Sequence, residues 1–164
     1  MYRLKSPLDA FAVGVFHYPS GALDETMDSL RKLKSHGLPV VEYSKPITVT
    51  GAGQGMQQAV YMPYVDGAVS AKELRDDVGI SDVVRINATT FADLDKIEEA
   101  LLSGGNGHGL AVWDFDMLVG KDGRVRVCDP AQVHEVEPSG RGKQTQQENL
   151  MLLGRLRAAL TNIS

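Results

Sequence analysis

Asp116-Met117-Leu118-Val119-Gly120-Lys121-Asp122-Gly123-Arg124-Val125-Arg126-Val127-Cys128-Asp129 is the stretch on which the fold turns. Gly120-Lys121-Asp122-Gly123 has the composition of a tight turn: glycine takes positive φ without steric cost, and an aspartate bonds to the backbone that follows it. Met117-Leu118-Val119 on one side and the alternating Arg124–Cys128 on the other predict a β-hairpin over residues 117–128. Asp116 precedes that hairpin and Asp129 follows it, so folding the ribbon back brings two carboxylates toward one point at its open end. Mg²⁺ takes few protein carboxylates together with substrate phosphates, which makes Asp116 and Asp129 candidate metal ligands. Turn capping by the same two residues is the competing reading.

Upstream, Leu110-Ala111-Val112-Trp113 is a short apolar run that predicts a strand, with Trp113 in the core. Residues 91–102 predict the chain's best helix, capped by Thr89 or Thr90, with Asp93 near its positive end and Phe91, Leu94, Ile97, Leu101 and Leu102 on one apolar face. Ser103-Gly104-Gly105-Asn106-Gly107 ends it, and His108 falls in the loop beyond. Downstream, Pro138–Lys143 predicts a polar loop. A last helix is expected from Gln146 to Leu160, with Leu150, Leu153, Leu156 and Leu160 inward. Cys128 reads as a small buried apolar residue.

Toward the N-terminus, Phe11–Phe16 predicts a buried strand. A helix follows, capped by Ser20 or Asp24, with Leu23, Met27, Leu30 and Leu33 at helical spacing up to the stop at Gly37-Leu38-Pro39. Ile47–Thr50 and Ala59–Val65 flank Gly51-Ala52-Gly53-Gln54-Gly55. This cluster superficially matches a phosphate-cradling glycine loop, but such a loop must open a helix, and the β-branched, aromatic run that follows predicts a hairpin tip instead. Asp66-Gly67-Ala68-Val69-Ser70 reads as a break between two halves, with a short helix over 71–78.

A length of 164 residues fits one domain and excludes a multidomain machine. One cysteine excludes an intrachain disulfide framework and multi-cysteine zinc patterns. The net charge of −4, without long runs of one sign, argues against nucleic-acid binding. No segment reaches the roughly 18 apolar residues of a membrane span. With no signal-peptide pattern at residues 1–7, a cytoplasmic location is expected, or delivery into a host or target cell.

In this order the elements resemble the protein-kinase-like fold, including aminoglycoside-phosphotransferase relatives and minimal kinases delivered as bacterial effectors. Phe11–Phe16 resembles the strand that carries the ATP-binding lysine, Glu25 the ion-pairing glutamate of the regulatory helix, and Val60–Gly67, with Met62 and Tyr64, the hinge beside the nucleotide. His108–Asp129 resembles the catalytic loop, hairpin and metal-binding aspartate, and Gln147-Glu148-Asn149-Leu150 a following helix. Asp129 stands thirteen positions after Asp116, the family spacing between the Asn that ends the catalytic loop and the magnesium-binding Asp. The resemblance implies an α+β, reduced bilobal fold, with residues 1–66 as a cut-down N-lobe and 67–164 as the C-lobe. It also implies ATP and Mg²⁺ as ligands.

The same register shows what is missing. Ala111 occupies the position of the catalytic aspartate, Gly14 that of the phosphate-binding lysine, and Pro130-Ala131 replace the usual Phe-Gly. Phosphoryl transfer depends on positioning and charge stabilisation, so these losses point to a degenerate member that binds a protein partner. An atypical phosphotransferase using Asp114 as base, with Lys5, Lys32 or Lys34 reaching a phosphate, is the alternative. A non-enzymatic accessory or effector protein unrelated to kinases is the third.

Overall fold

The computed structural model describes residues 2–3, 11–16, 21–51, 55–63, 69–71, 85–128 and 130–162. The chain is α+β. Strands β1 (Tyr2–Arg3) and β2 (Phe11–Phe16) precede helix α1 (Gly21–Ser35), and β3 (Ile47–Gly51) and β4 (Gly55–Pro63) follow it. These four strands form one antiparallel sheet in the order β1-β2-β4-β3. Gly51 pairs with Gly55 across the β3–β4 ladder, as a glycine-tipped hairpin requires. Residues 64–68 and 72–84, where the hinge and the short helix were expected, lie outside the described residues, as do Lys5, Ser20, Tyr64 and Asp129.

Strand β5 (Val69–Ser70), which falls where a break was expected, pairs with β7 (Asp116–Val119), and β7 forms the predicted hairpin with β8 (Val125–Cys128). Strand β6 (Leu110–Trp113) pairs with β9 (Gln132–Glu135) in a separate two-stranded ribbon. Helices α2 (Ala88–Ser103) and α3 (Lys143–Thr161) complete the chain. One apolar core joins the end of α1 (Leu33), α2 (Leu94, Ile97, Leu101), the hairpin (Met117, Val119, Val125, Val127) and α3 (Leu153, Leu156, Leu160). Pro39–Val41 runs parallel to β8: the Val41 N–H donates to the Val127 carbonyl at 2.9 Å and the Val127 N–H to the Pro39 carbonyl at 2.8 Å.

The cap of α2 differs from expectation. Asn87, not Thr89 or Thr90, is the N-cap: its Oδ1 accepts the N–H groups of Thr89 (2.9 Å) and Thr90 (3.3 Å), while Thr90 Oγ1 accepts the Asn87 N–H at 3.1 Å. This is a reciprocal capping box. The buried Thr90 hydroxyl donates onward to the Gly123 carbonyl at 2.6 Å, so the helix start is tied to the hairpin turn. Gly123 has φ +76°, and a Cβ there would collide with the Arg85 carbonyl. Leu102, expected inward, is 53% exposed, because one extra residue rotates it past the apolar stripe. In α1, Thr26 and Ser29 are buried beside the apolar face; Ser29 Oγ donates to the Ala131 carbonyl at 3.3 Å.

Asp122 in the turn accepts the Arg124 N–H at 3.0 Å and Arg126 Nη2 at 2.6 Å. The Arg126 guanidinium holds its carboxyl below the ordinary carboxylate value of 3.8. A carboxyl depressed by folding stabilises the fold above its unfolded value, and that contribution disappears as the pH falls through the folded value. Half the side chain is exposed, so screening keeps the gain to a few tenths of a kcal/mol. Asp122→Asn should therefore lie slightly below wild type in chemical denaturation at pH 7, and the gap should close as the pH falls below 3.8. A gap that persisted in acid would mean the charge is not its source.

Candidate functional site

The chemistry-bearing residues gather on the segment from β6 to β7. Strand β6 pairs with β9 on one edge, with Ala111 opposite His134 and Trp113 opposite Gln132. On β6 the backbone of Val112 is paired by a side chain. Asn149 of α3, itself buried, accepts the Val112 N–H at 2.8 Å and donates to the Val112 carbonyl at 2.9 Å, reproducing a strand's bonding with one amide. Gln146, one turn earlier, donates to the carbonyls of Leu101 and His108, which fixes the loop leading into β6.

After β6 the chain turns sharply. Asp114 has φ +56°, the one left-handed non-glycine residue among those described. Aspartate tolerates that region better than most side chains. The turn leaves Asp114 exposed, buries Phe115 and starts β7 at Asp116. Asp116 is half-buried: its Oδ2 accepts the Ser70 hydroxyl at 2.7 Å and its Oδ1 accepts the Met117 N–H at 2.8 Å. Cys128 faces Asp116 across the ladder and is buried, as expected. Asp129 is the next residue in sequence, but it lies outside the described residues. Both Asp116 oxygens are thus engaged within the protein, one by a side-chain hydroxyl and one by the backbone. Among the described residues, no three His, Cys, Asp or Glu side chains form a group able to hold a metal ion.

Ala111 is fully buried, and its Cβ faces Gly142 at the start of α3. Glu25 is exposed on α1, where its Oε2 receives the Gln132 amide at 3.3 Å. Met62 lies in β4 with its backbone opposite Ala12, and Gly14 lies opposite Val60. Lys32 Nζ reaches the Val133 carbonyl at 3.4 Å and Glu135 at 3.9 Å, and Lys34 pairs with Glu42 at 2.6 Å. His108 is exposed in its loop.

Trp113 corrects the sequence reading. It was expected in the core and is 54% exposed. Leu110, Ala111 and Val112 fill the interior, and the strand emerges with Trp113. A cleft of about 700 Å³ is lined by Trp113 together with Val112, Asp114, Gly142, Thr145, Glu148 and Leu152 among others. A second, of about 470 Å³, is lined by Trp113 with Lys32, His134, Glu135, Glu137 and Arg141. Trp113 and Gly142 belong to both. The site is an exposed tryptophan that two depressions share, adjoining the turn that carries Asp114 and Asp116. No described helix is long and apolar enough to cross a membrane. No known protein-family model matches the chain, and no curated protein matches it.

Proposed function

We propose that the protein is a degenerate kinase-like domain that acts by binding a protein partner and retains at most weak binding of ATP and Mg²⁺. In this reading residues 1–66 are a reduced N-lobe and 67–164 the C-lobe, with Glu25, Met62 and Tyr64 on the nucleotide side and Asp116 and Asp129 toward Mg²⁺. The observation that carries the reading is Ala111. The position at which the resemblance requires a proton-accepting carboxylate holds a methyl group, buried in β6 and packed toward Gly142. A substrate hydroxyl would find no base there. The β7–β8 hairpin headed by Asp116 supports the hairpin that the resemblance places after Ala111.

The test combines transfer and binding. Incubation with labelled ATP and Mg²⁺ or Mn²⁺ should yield no phosphorylated protein or small molecule. If nucleotide binding survives, ATP with Mg²⁺ at ten times its Kd stabilises the fold by about 1.4 kcal/mol, or roughly 3–5 °C in a chain of this size. Asp116→Asn and Asp129→Asn should each remove that shift. A second reading rests on Asp114, exposed at the turn after β6 and bordering the larger cleft: a phosphotransferase with a relocated base. Phosphate transfer that is lost in Asp114→Asn would establish it and overturn the partner-binding proposal.

A further inference from the structure

Asn87, Asn106, Asn149 and Asn162 are the chain's asparagines, and of these only Asn106 precedes a glycine. Asn106 and Gly107 are both exposed in the loop that joins α2 to β6. A side-chain amide is lost when the following peptide nitrogen attacks it, which requires an accessible nitrogen and a polarised amide carbon. Gly107 has φ +88°, and no heavy atom lies within 4 Å of where a Cβ would stand, so the approach is open. Among the described residues nothing accepts the Gly107 N–H. In the exposed Asp122-Gly123 turn, by contrast, the glycine N–H donates to the Gly120 carbonyl at 2.9 Å. Asn106 Oδ1 accepts the His108 N–H at 3.2 Å, a donor aimed at the atom on which charge develops during attack. Nδ2, the group that would leave, reaches only the Val136 carbonyl, at 3.4 Å, beyond the usual hydrogen-bond range. The nitrogens after Asn87 and Asn149 are fixed in α2 and α3 and carry substituted Cα atoms.

We propose that Asn106 is a self-modification site, at which the chain converts its own amide to a carboxylate and so releases the loop from the end of β9. Solvent base takes the Gly107 N–H proton, the nitrogen bonds to Asn106 Cγ, and the electron pair moves onto Oδ1 against the His108 N–H. Its return breaks the Cγ–Nδ2 bond, and ammonia departs with a proton from solvent, leaving a cyclic imide. Water opens the ring at either carbonyl: breaking the new N–Cγ bond gives aspartate, and breaking the original peptide bond gives isoaspartate. The sum is amide plus water to carboxylate plus ammonium, with nothing oxidised or reduced. Buried Val136 is held to this loop twice, since its N–H also donates to the Gly109 carbonyl at 2.9 Å. After conversion a carboxylate without a donor faces the Val136 carbonyl. Glu135, whose side chain lies against Gly105, adds like charge nearby. The inference is independent of the kinase-like reading.

Incubation of the full chain in warm alkaline buffer, followed by peptide mapping by mass spectrometry, should show a mixture of aspartate and isoaspartate at position 106 while Asn87 and Asn149 stay amides. Conversion should be several-fold slower in mildly acidic buffer, where less of the nitrogen loses its proton. The folded chain should convert Asn106 about as fast as the chain in denaturant, because the fold leaves the reacting atoms open. Asn106→Gln, whose longer side chain would have to close a larger ring, should remain an amide. Hydrogen exchange at the Val136 amide should be several-fold faster in Asn106→Asp than in wild type. Conversion confined to the denatured chain, or the same acidic product forming equally in Asn106→Gln, would overturn the site. Unchanged Val136 exchange in Asn106→Asp would overturn the release of the loop.

Discussion

Asp93→Ala should lower the melting temperature by roughly 6–12 °C, the consequence of about 2–4 kcal/mol in a chain of this size. Asp93 is 1% exposed on α2 and holds three donors: Arg124 Nε at 2.6 Å, Arg124 Nη2 at 3.1 Å and the Val125 N–H at 3.1 Å. Truncation leaves the buried Val125 amide without its acceptor, which costs about 1–3 kcal/mol, and removes a two-pronged charge-assisted contact besides. Arg124 is 41% exposed, so its guanidinium can turn to water; the loss therefore stays below the 3–5 kcal/mol typical when a fully buried partner is stranded. Asp93→Asn keeps an acceptor for Val125 and should lose about half as much. The two partners act as a unit, since Asp93 also raises the Arg124 pKa above its ordinary value through their hydrogen bond. Adding Arg124→Ala to Asp93→Ala should accordingly cost less than the sum of the single changes, with a coupling of about 1–3 kcal/mol. Strict additivity would show that α2 and the hairpin turn are not held together through this pair.

That pair also illustrates what a linear reading reaches. The hairpin of β7 and β8, the glycine-tipped β3–β4 pair and the apolar stripes of α2 and α3 are written in local periodicity and turn chemistry, and the structure has them close to the expected boundaries. Asp93 was legible only as an acidic residue near a helix start; its actual role comes from a turn thirty-one residues away. The cap of α2 was misplaced by part of a turn because Asn87, Thr89 and Thr90 are all capping residue types, and Thr90 does take part, from the third helical position. Strand β9 escaped notice because Gln132-Val133-His134-Glu135 offers one apolar side chain. It is extended because β6 supplies its partners, and propensity yields to such pairing. The misreading of Trp113 has a similar origin. Hydrophobicity argues for burial, yet burial depends on where the strand leaves the core, and β6 leaves it one residue earlier. Of the candidate site, the position of Asp116 at the hairpin's head was readable from spacing, whereas the exposed tryptophan and its clefts arise from α3 and the loop before it meeting β6. No window of sequence contains that meeting.

Asn149 is the clearest example of such a long-range residue, and replacing it should have the second large effect. In α3 it continues the stripe of Leu153, Leu156 and Leu160 toward the helix N-terminus, and like them it is buried. Asn149→Ala removes the partner of both the N–H and the carbonyl of the fully buried Val112. At about 1–3 kcal/mol for each unsatisfied group, and with some relaxation of α3 against β6, a loss of about 2–4 kcal/mol is expected, or roughly 6–12 °C. Asn149→Leu adds apolar surface without restoring either bond, so it should not rescue the fold; full stability in that variant would mean that the two bonds contribute nothing net. Asn149→Asp gives the sharper outcome. An ionised aspartate can accept from the Val112 N–H, but it turns a second acceptor toward the Val112 carbonyl, whereas the protonated acid can donate to that carbonyl and restore the pattern. Burial and the facing carbonyl both favour the neutral form, so the folded-state pKa of the introduced acid lies above its unfolded value. Stability is then fully present below about 3.9, the unfolded value, and is lost as the pH rises through the folded one. Relative to wild type, Asn149→Asp should therefore be most stable in acid and progressively weaker toward neutral pH. This is the opposite of the dependence expected from Asp122, where the folded state favours the charge. Denaturation profiles at several pH values separate the two cases. A pH-independent deficit in Asn149→Asp would show that the amide fills space beside β6 without setting the backbone that carries Trp113 and Asp114.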